Sequence, residues 1–143
     1  MATPIVQDLR VQPLAMKFDA TGISTPARYG FWAQAGDPVY ISADMTVKPS
    51  GVGAVIDGFL ETSIGVEEYP TIASIDSRFR VNVIVPENYV LRGVAGGVIA
   101  VRAGVTSEAS STKVVTATLA AAGSVGKVIS GAGAEDAAVL FLV

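Results

Sequence analysis

The segment "RFRVNVIVP" (78–86) puts Phe79, Val81, Val83 and Val85 on one face and Arg78, Arg80, Asn82 and Ile84 on the other. A period of two is the pattern of a half-buried strand, and Pro86 ends it. From Phe31 onward the same theme returns in "DPVYISA", "GAVIDGFLE", "YVLRGVAGGVIAVRA", "TKVVTATLA", "GKVISG" and "AAVLFLV": β-formers punctuated by glycine. Such segments, spaced roughly 8–12 residues apart, predict an all-β fold, a small β-barrel or sandwich. The one helical candidate, "TATLAAAGS" (116–124), has alanine for propensity and Gly123 as a stop, but length for only one or two turns.

The first 29 residues read differently. Pro4, Pro13 and Pro26 oppose a long helix, while Ile5, Val6, Leu9, Val11 and Leu14, with Met16 and Phe18, make the segment too apolar for a solvated tail. Two readings fit: an extended N-terminal arm (1–29) that packs on a neighbour, or a first strand or hairpin of the same domain. The arm reading makes Ile5, Val6, Leu9, Val11 and Leu14 its partner contacts. Tyr29, Phe31 and Trp32 then form an aromatic anchor where the arm leaves the body, with a plug at one end of a barrel as the plainer alternative.

The body, 30–143, writes one phrase twice. "VGAVIDG" (52–58) and "VGKVISG" (125–131) differ only at their third and sixth positions. Each is preceded by a matching stretch, "AGDPVYISA" (35–43) and "AGGVIAVRA" (95–103), and followed by a hydrophobic strand. Identity in the same order on both sides points to two degenerate β-units, about 30–90 and 91–143, folded around one core.

Composition narrows the chemistry. The chain of 143 residues has neither cysteine nor histidine, so disulfides, thiolate chemistry and the commonest general base and metal ligand are excluded. Apolar residues make up 50% and charged residues only 16%, which leaves much weakly polar surface to bury against protein partners. No apolar run approaches the 20 or so residues of a spanning helix. The beginning "MATPIVQDLR" has no basic leader, so a soluble chain made in the cytoplasm, without a membrane partner, is expected. A net charge of -3 with scattered Lys and Arg argues against nucleic acid.

Motifs that would carry chemistry fail on inspection. In "AAAGSVGKVIS" Ala121 stands where a phosphate loop needs its first glycine, and Val128 where it needs a hydroxyl. The glycine runs at 51–56 and 131–136 end in Ile56 and Asp136 rather than the third glycine of a dinucleotide fingerprint. Ser110 and Lys113 match S-x-x-K without the companion elements of that catalytic class. Glu67-Glu68 and Glu135-Asp136 lack calcium-loop spacing. The reading is therefore no enzyme, with no catalytic residue, cofactor or metal site.

Gly36-Asp37-Pro38-Val39 opening a strand, then "ADMTVKPSG" (43–51), "VIDGFLETS" (55–63), "GVAGGVIAVRAGV" (93–105) and "VGKVISGAG" (125–133), resemble the capsid decoration, or cement, proteins of tailed bacteriophages. Met45 departs from that pattern, standing where the family's hairpin has glycine. The resemblance implies a β-rich structural protein on the exterior of the mature capsid. Its partners would be the major capsid protein and further copies of itself, as a homo-oligomer such as a trimer at symmetry axes. The competing expectation is a carbohydrate- or receptor-binding β-module of a fibre or tail, for which Trp32, Tyr40, Tyr69 and Tyr89 would have to supply the platform.

Overall fold

The structure is a computed structural model that describes residues 5–26, 29–51, 55–75, 80–108, 112–117 and 126–143. The strands are β1 (Ile5–Asp8), β2 (Leu14–Phe18), β3 (Phe31–Ala33), β4 (Pro38–Ala43), β5 (Thr46–Pro49), β6 (Gly58–Leu60) and β7 (Ile64–Gly65). They continue with β8 (Arg80–Ile84), β9 (Tyr89–Val94), β10 (Gly104–Ser107), β11 (Val114–Ala117), β12 (Lys127–Ser130) and β13 (Ala138–Leu142). One 3-10 turn, Ile72–Ser74, precedes β8. The all-β class and the small barrel expected from periodicity are present. Of the helical candidate, residues 116–117 belong to β11, and 118–124 lie outside the described residues.

The chain divides into two compact units, Pro13–Pro86 and the combination of Met1–Gln12 with Glu87–Val143. In sequence, the first is an insert between β1 and β9 of the second. Prolines stand at both junctions, Pro13 and Pro86. The main chains flanking the insertion are tied together where Leu9 N–H donates to the Asn88 carbonyl at 2.8 Å.

In the insert unit, β2-β5-β4-β6-β8 close into a barrel. Strict alternation fills its interior: Leu14, Met16 and Phe18 of β2, Val39 and Ile41 of β4, Val47 of β5, Leu60 of β6 and Val81 and Val83 of β8 all point inward and are buried. β2 is therefore a barrel stave, antiparallel to β8 and parallel to β5. β1 is likewise internal to the fold, pairing antiparallel with β9. These pairings correct the extended arm of residues 1–29. The segment is apolar because its strands complete two sheets of its own chain, and the unit boundaries shift accordingly from 30–90 and 91–143 to 13–86 and 1–12 with 87–143.

In the terminal unit, β1-β9-β13-β12 form one sheet and β10-β11 a second. Ala95, Ile99, Val105, Val128, Ala132, Val139 and Phe141 make its core, with Leu91 and Val114 packed against them. Isolated bridges, Ala95 with Val114 in parallel and Ile99 with Ala132 antiparallel, join the two sheets. Arg102 N–H donates to the Val128 carbonyl and Val128 N–H to the Ala103 carbonyl, extending the second junction.

These links give the terminal unit the same cyclic order as the insert barrel. β9, β11, the 99–107 segment, β12 and β13 take the places of β2, β5, β4, β6 and β8, and every neighbour relation keeps its direction, including the single parallel one. The stagger agrees as well. Extending each register past strand ends where needed, a path from Leu14 through Val83, Leu60, Asp37 and Gly51 returns to its starting line at Gly22. The path from Val90 through Leu142, Lys127, Gly104 and Ala117 returns at Val98. Both arrive eight residues beyond their start, although in the terminal unit two of the junctions are isolated bridges and only the insert ring closes through strand pairing throughout.

Candidate interaction surface

Outward positions of the insert barrel build an apolar row. Alternation that buries Leu60 and Val83 turns Phe59 and Ile84 to the exterior, where they are 45% and 55% exposed. They face each other directly across β6 and β8, and Phe59 in turn faces Pro38 of β4. Cross-strand neighbours of this kind are close enough for their side chains to touch, so three strands present one continuous apolar strip. Val55 and Ile56, on the approach to β6, are also about half exposed. A closed barrel has no free edge in this row, so what it offers a partner is side-chain surface on a rigid support rather than strand pairing.

The signal for this row was present in "RFRVNVIVP". Ile84 falls on the otherwise polar face with Arg80 and Asn82, an aliphatic where alternation calls for a hydrophilic residue. The terminal unit has a smaller counterpart. Val94 faces Ala138 across β9 and β13, both exposed, and Val98 is 72% exposed.

The residues expected to contact a partner through an arm are dispersed. Ile5 and Val6 are about half exposed on β1, Leu9 is half-buried, Val11 is exposed in the turn after β1, and Leu14 is buried in the insert barrel. β1 is poorly suited to strand addition. A bulge at Val6 breaks its register, and at its end Asp8 holds Arg10 through its side chain and main chain at 3.0–3.1 Å while the Arg10 guanidinium sits 4.8 Å from the Tyr89 ring centre. Arg10 also holds the Asp8 carboxyl below the usual carboxylate range.

The aromatic anchor does not form a cluster either. Tyr29 is fully exposed, Phe31 half-buried and Trp32 only 7% exposed, its indole N–H donating to the Tyr69 carbonyl. Burial of that ring takes the largest aromatic away from any carbohydrate platform. Trp32 is a core residue of β3, which pairs with β7 outside the closed barrel.

Lys113 of the S-x-x-K match donates to Glu135 at 2.9 Å and lies 2.7 Å from Asp136; Ser110 lies outside the described residues. Hydrogen bonds to Asp136 first and Glu135 second raise the Lys113 pKa, which keeps it charged and unfit as a base. Glu135 and Asp136 are thereby assigned to a surface ion pair. Among the described residues no three carboxylates gather as a metal cluster would need.

A cavity of about 360 Å³ opens where β2, β5 and the 3-10 turn meet, lined by Lys17, Asp19, Thr21, Thr46, Ile72 and Ile75 among others. Its polar groups are largely engaged: Thr21 N–H donates to Asp19 at 2.9 Å, and the Thr46 hydroxyl donates to the Asp44 carbonyl at 2.8 Å. The Thr21 hydrogen bonds also depress the Asp19 pKa.

No family model and no curated protein matches the chain.

Proposed function

We propose that the chain is a structural virion protein that binds the exterior of a mature tailed-phage capsid and reinforces it. The major capsid protein and further copies of the chain, as a trimer, are its partners. The observation that carries this reading is the apolar strip of Pro38, Phe59 and Ile84 on the closed insert barrel. Monomeric proteins seldom leave contiguous apolar surface uncovered, and a rigid barrel presents it at little entropic cost. The decoration-protein resemblance of 36–39, 43–51, 55–63, 93–105 and 125–133 points the same way. Catalytic groups are not required by such a role, and many copies on one shell sum weak contacts by avidity.

The test is co-sedimentation with expanded shells of the encoding phage that lack the protein. Saturable binding is expected, weakened at least about tenfold by Phe59→Asp with Ile84→Asp, since each substitution places a charge in a buried apolar contact. Failure of the unaltered chain to bind any capsid form would remove the proposal.

A further inference from the structure

We infer that the cavity beside β2, β5 and the 3-10 turn is a binding site for a small organic carboxylate with an apolar tail. This goes beyond the capsid reading and involves the insert unit alone. At about 360 Å³ the cavity falls at the lower end of the range of small-molecule sites, and its lining divides by chemistry. Phe18, Ile72 and Ile75 supply apolar surface; Lys17, Asp19 and Thr46 supply polar groups. The alternation that buries Met16 and Phe18 is what turns Lys17 outward.

The strand register makes this wall electropositive. Lys17 of β2 pairs with Arg80 of β8 on one side and with Thr46 of β5 on the other, all three on the outward face, and Lys48 follows Thr46 along that face of β5. Like charges directly opposite each other weaken a sheet, so packing gives no reason to set Lys17 against Arg80, whereas an anion between them relieves the repulsion. The acid in the lining is already engaged. Asp19 accepts the Thr21 N–H at 2.9 Å, and its pKa is lowered by hydrogen bonds from the Thr21 side chain and main chain, with a smaller contribution from the charge of Lys48. The Thr46 hydroxyl likewise donates to the Asp44 carbonyl at 2.8 Å. With both threonine hydroxyls donating within the chain, the side-chain donor of the lining left to meet a ligand is the Lys17 ammonium.

The class of ligand follows from this division. A charged head at Lys17 must be anionic, and Ile72 and Ile75, both half-buried, offer an aliphatic tail a place out of water. An inorganic anion would leave that apolar surface uncovered, and an amine would meet like charge.

Titration of the full chain with sodium hexanoate at fixed ionic strength, followed by two-dimensional amide NMR, decides this. Saturable shifts are expected at Lys17, Thr46, Ile72 and Ile75, with a dissociation constant of about 1 mM or tighter. Acetate, which lacks the tail, and hexylamine, which keeps the tail on a positive head, are each expected to bind at least about tenfold more weakly. Lys17→Gln, at an exposed position, should lower hexanoate affinity by about tenfold or more, while Lys17→Arg, which keeps the charge, should retain it. Shifts that do not saturate, that are equal for hexanoate and hexylamine, or that persist unchanged in Lys17→Gln would overturn the site. Capsid binding is measured on shells without hexanoate, so either reading can fail while the other stands.

Discussion

Individual residues carry the fold's least replaceable features where the main chain needs something no other side chain supplies. Asp57 is the one buried charged residue among those described, 3% exposed, and its carboxylate accepts the Ile41 N–H at 2.7 Å where β4 is irregular between Ile41 and Ala43. A carboxylate inside a barrel is there because a buried N–H left without an acceptor costs about 1–3 kcal/mol. Asp57→Ala should destabilise the protein by that amount, with Asp57→Asn milder because it keeps an acceptor oxygen. Gly131 provides a second case. Gly131→Ala forces its Cβ onto the Ile99 carbonyl and should cost about 1–3 kcal/mol. Gly133→Ala, with nothing near its would-be Cβ, should stay within about 0.5 kcal/mol. Urea unfolding of the four variants checks this, and equal stability of the two alanine variants at 131 and 133 would contradict it. Met45 illustrates the opposite accommodation, a non-glycine residue holding φ 50° in the left-handed region at the turn between β4 and β5.

Among the elements, β2 decides how the N-terminal segment is to be understood. As an arm, residues 1–28 could be deleted to leave a folded body. As a stave, β2 buries Leu14, Met16 and Phe18 and bridges β8 to β5, so its loss opens the insert barrel and exposes the edges of both neighbours. A chain starting at Tyr29 is expected to lose cooperative thermal unfolding and to aggregate; a cooperative transition with an intact far-ultraviolet β signature would refute the stave. The sequence pattern contained this outcome, since "LAMKF" alternates apolar and mixed positions with the period of a strand just as "RFRVNVIVP" does. Alternation specifies that a segment is a strand and which face is inward. It does not specify the partner strand, and the pairings of β1 with β9 and β2 with β8 each span more than sixty residues of chain. For that reason the strand segments and the repeated phrase were legible, while the insertion of one unit within the other was not. The apolar row was half legible: Ile84 is out of phase in its own strand, but Phe59 and Pro38 join it only through registers that alternation leaves open.

For the molecule as a whole, the balance between charge and apolar surface sets how association should respond to conditions. A net charge of -3 spread over scattered single residues gives little long-range field. The ion pairs among the described residues, Asp8 with Arg10, Lys113 with Glu135 and Asp136, and the more buried Lys127 with Glu87, are all internal to the terminal unit, so they contribute little to attraction between molecules. What remains to drive binding is the burial of Phe59, Ile84 and their neighbours, which is proportional to area and indifferent to the Debye length. Affinity for shells should therefore change by less than about threefold between 50 and 500 mM sodium chloride, and calorimetry should give a negative heat-capacity change on binding. A fall of ten-fold or more over that range, with a heat-capacity change near zero, would mean that charged groups make the contact and that the apolar strip serves something else.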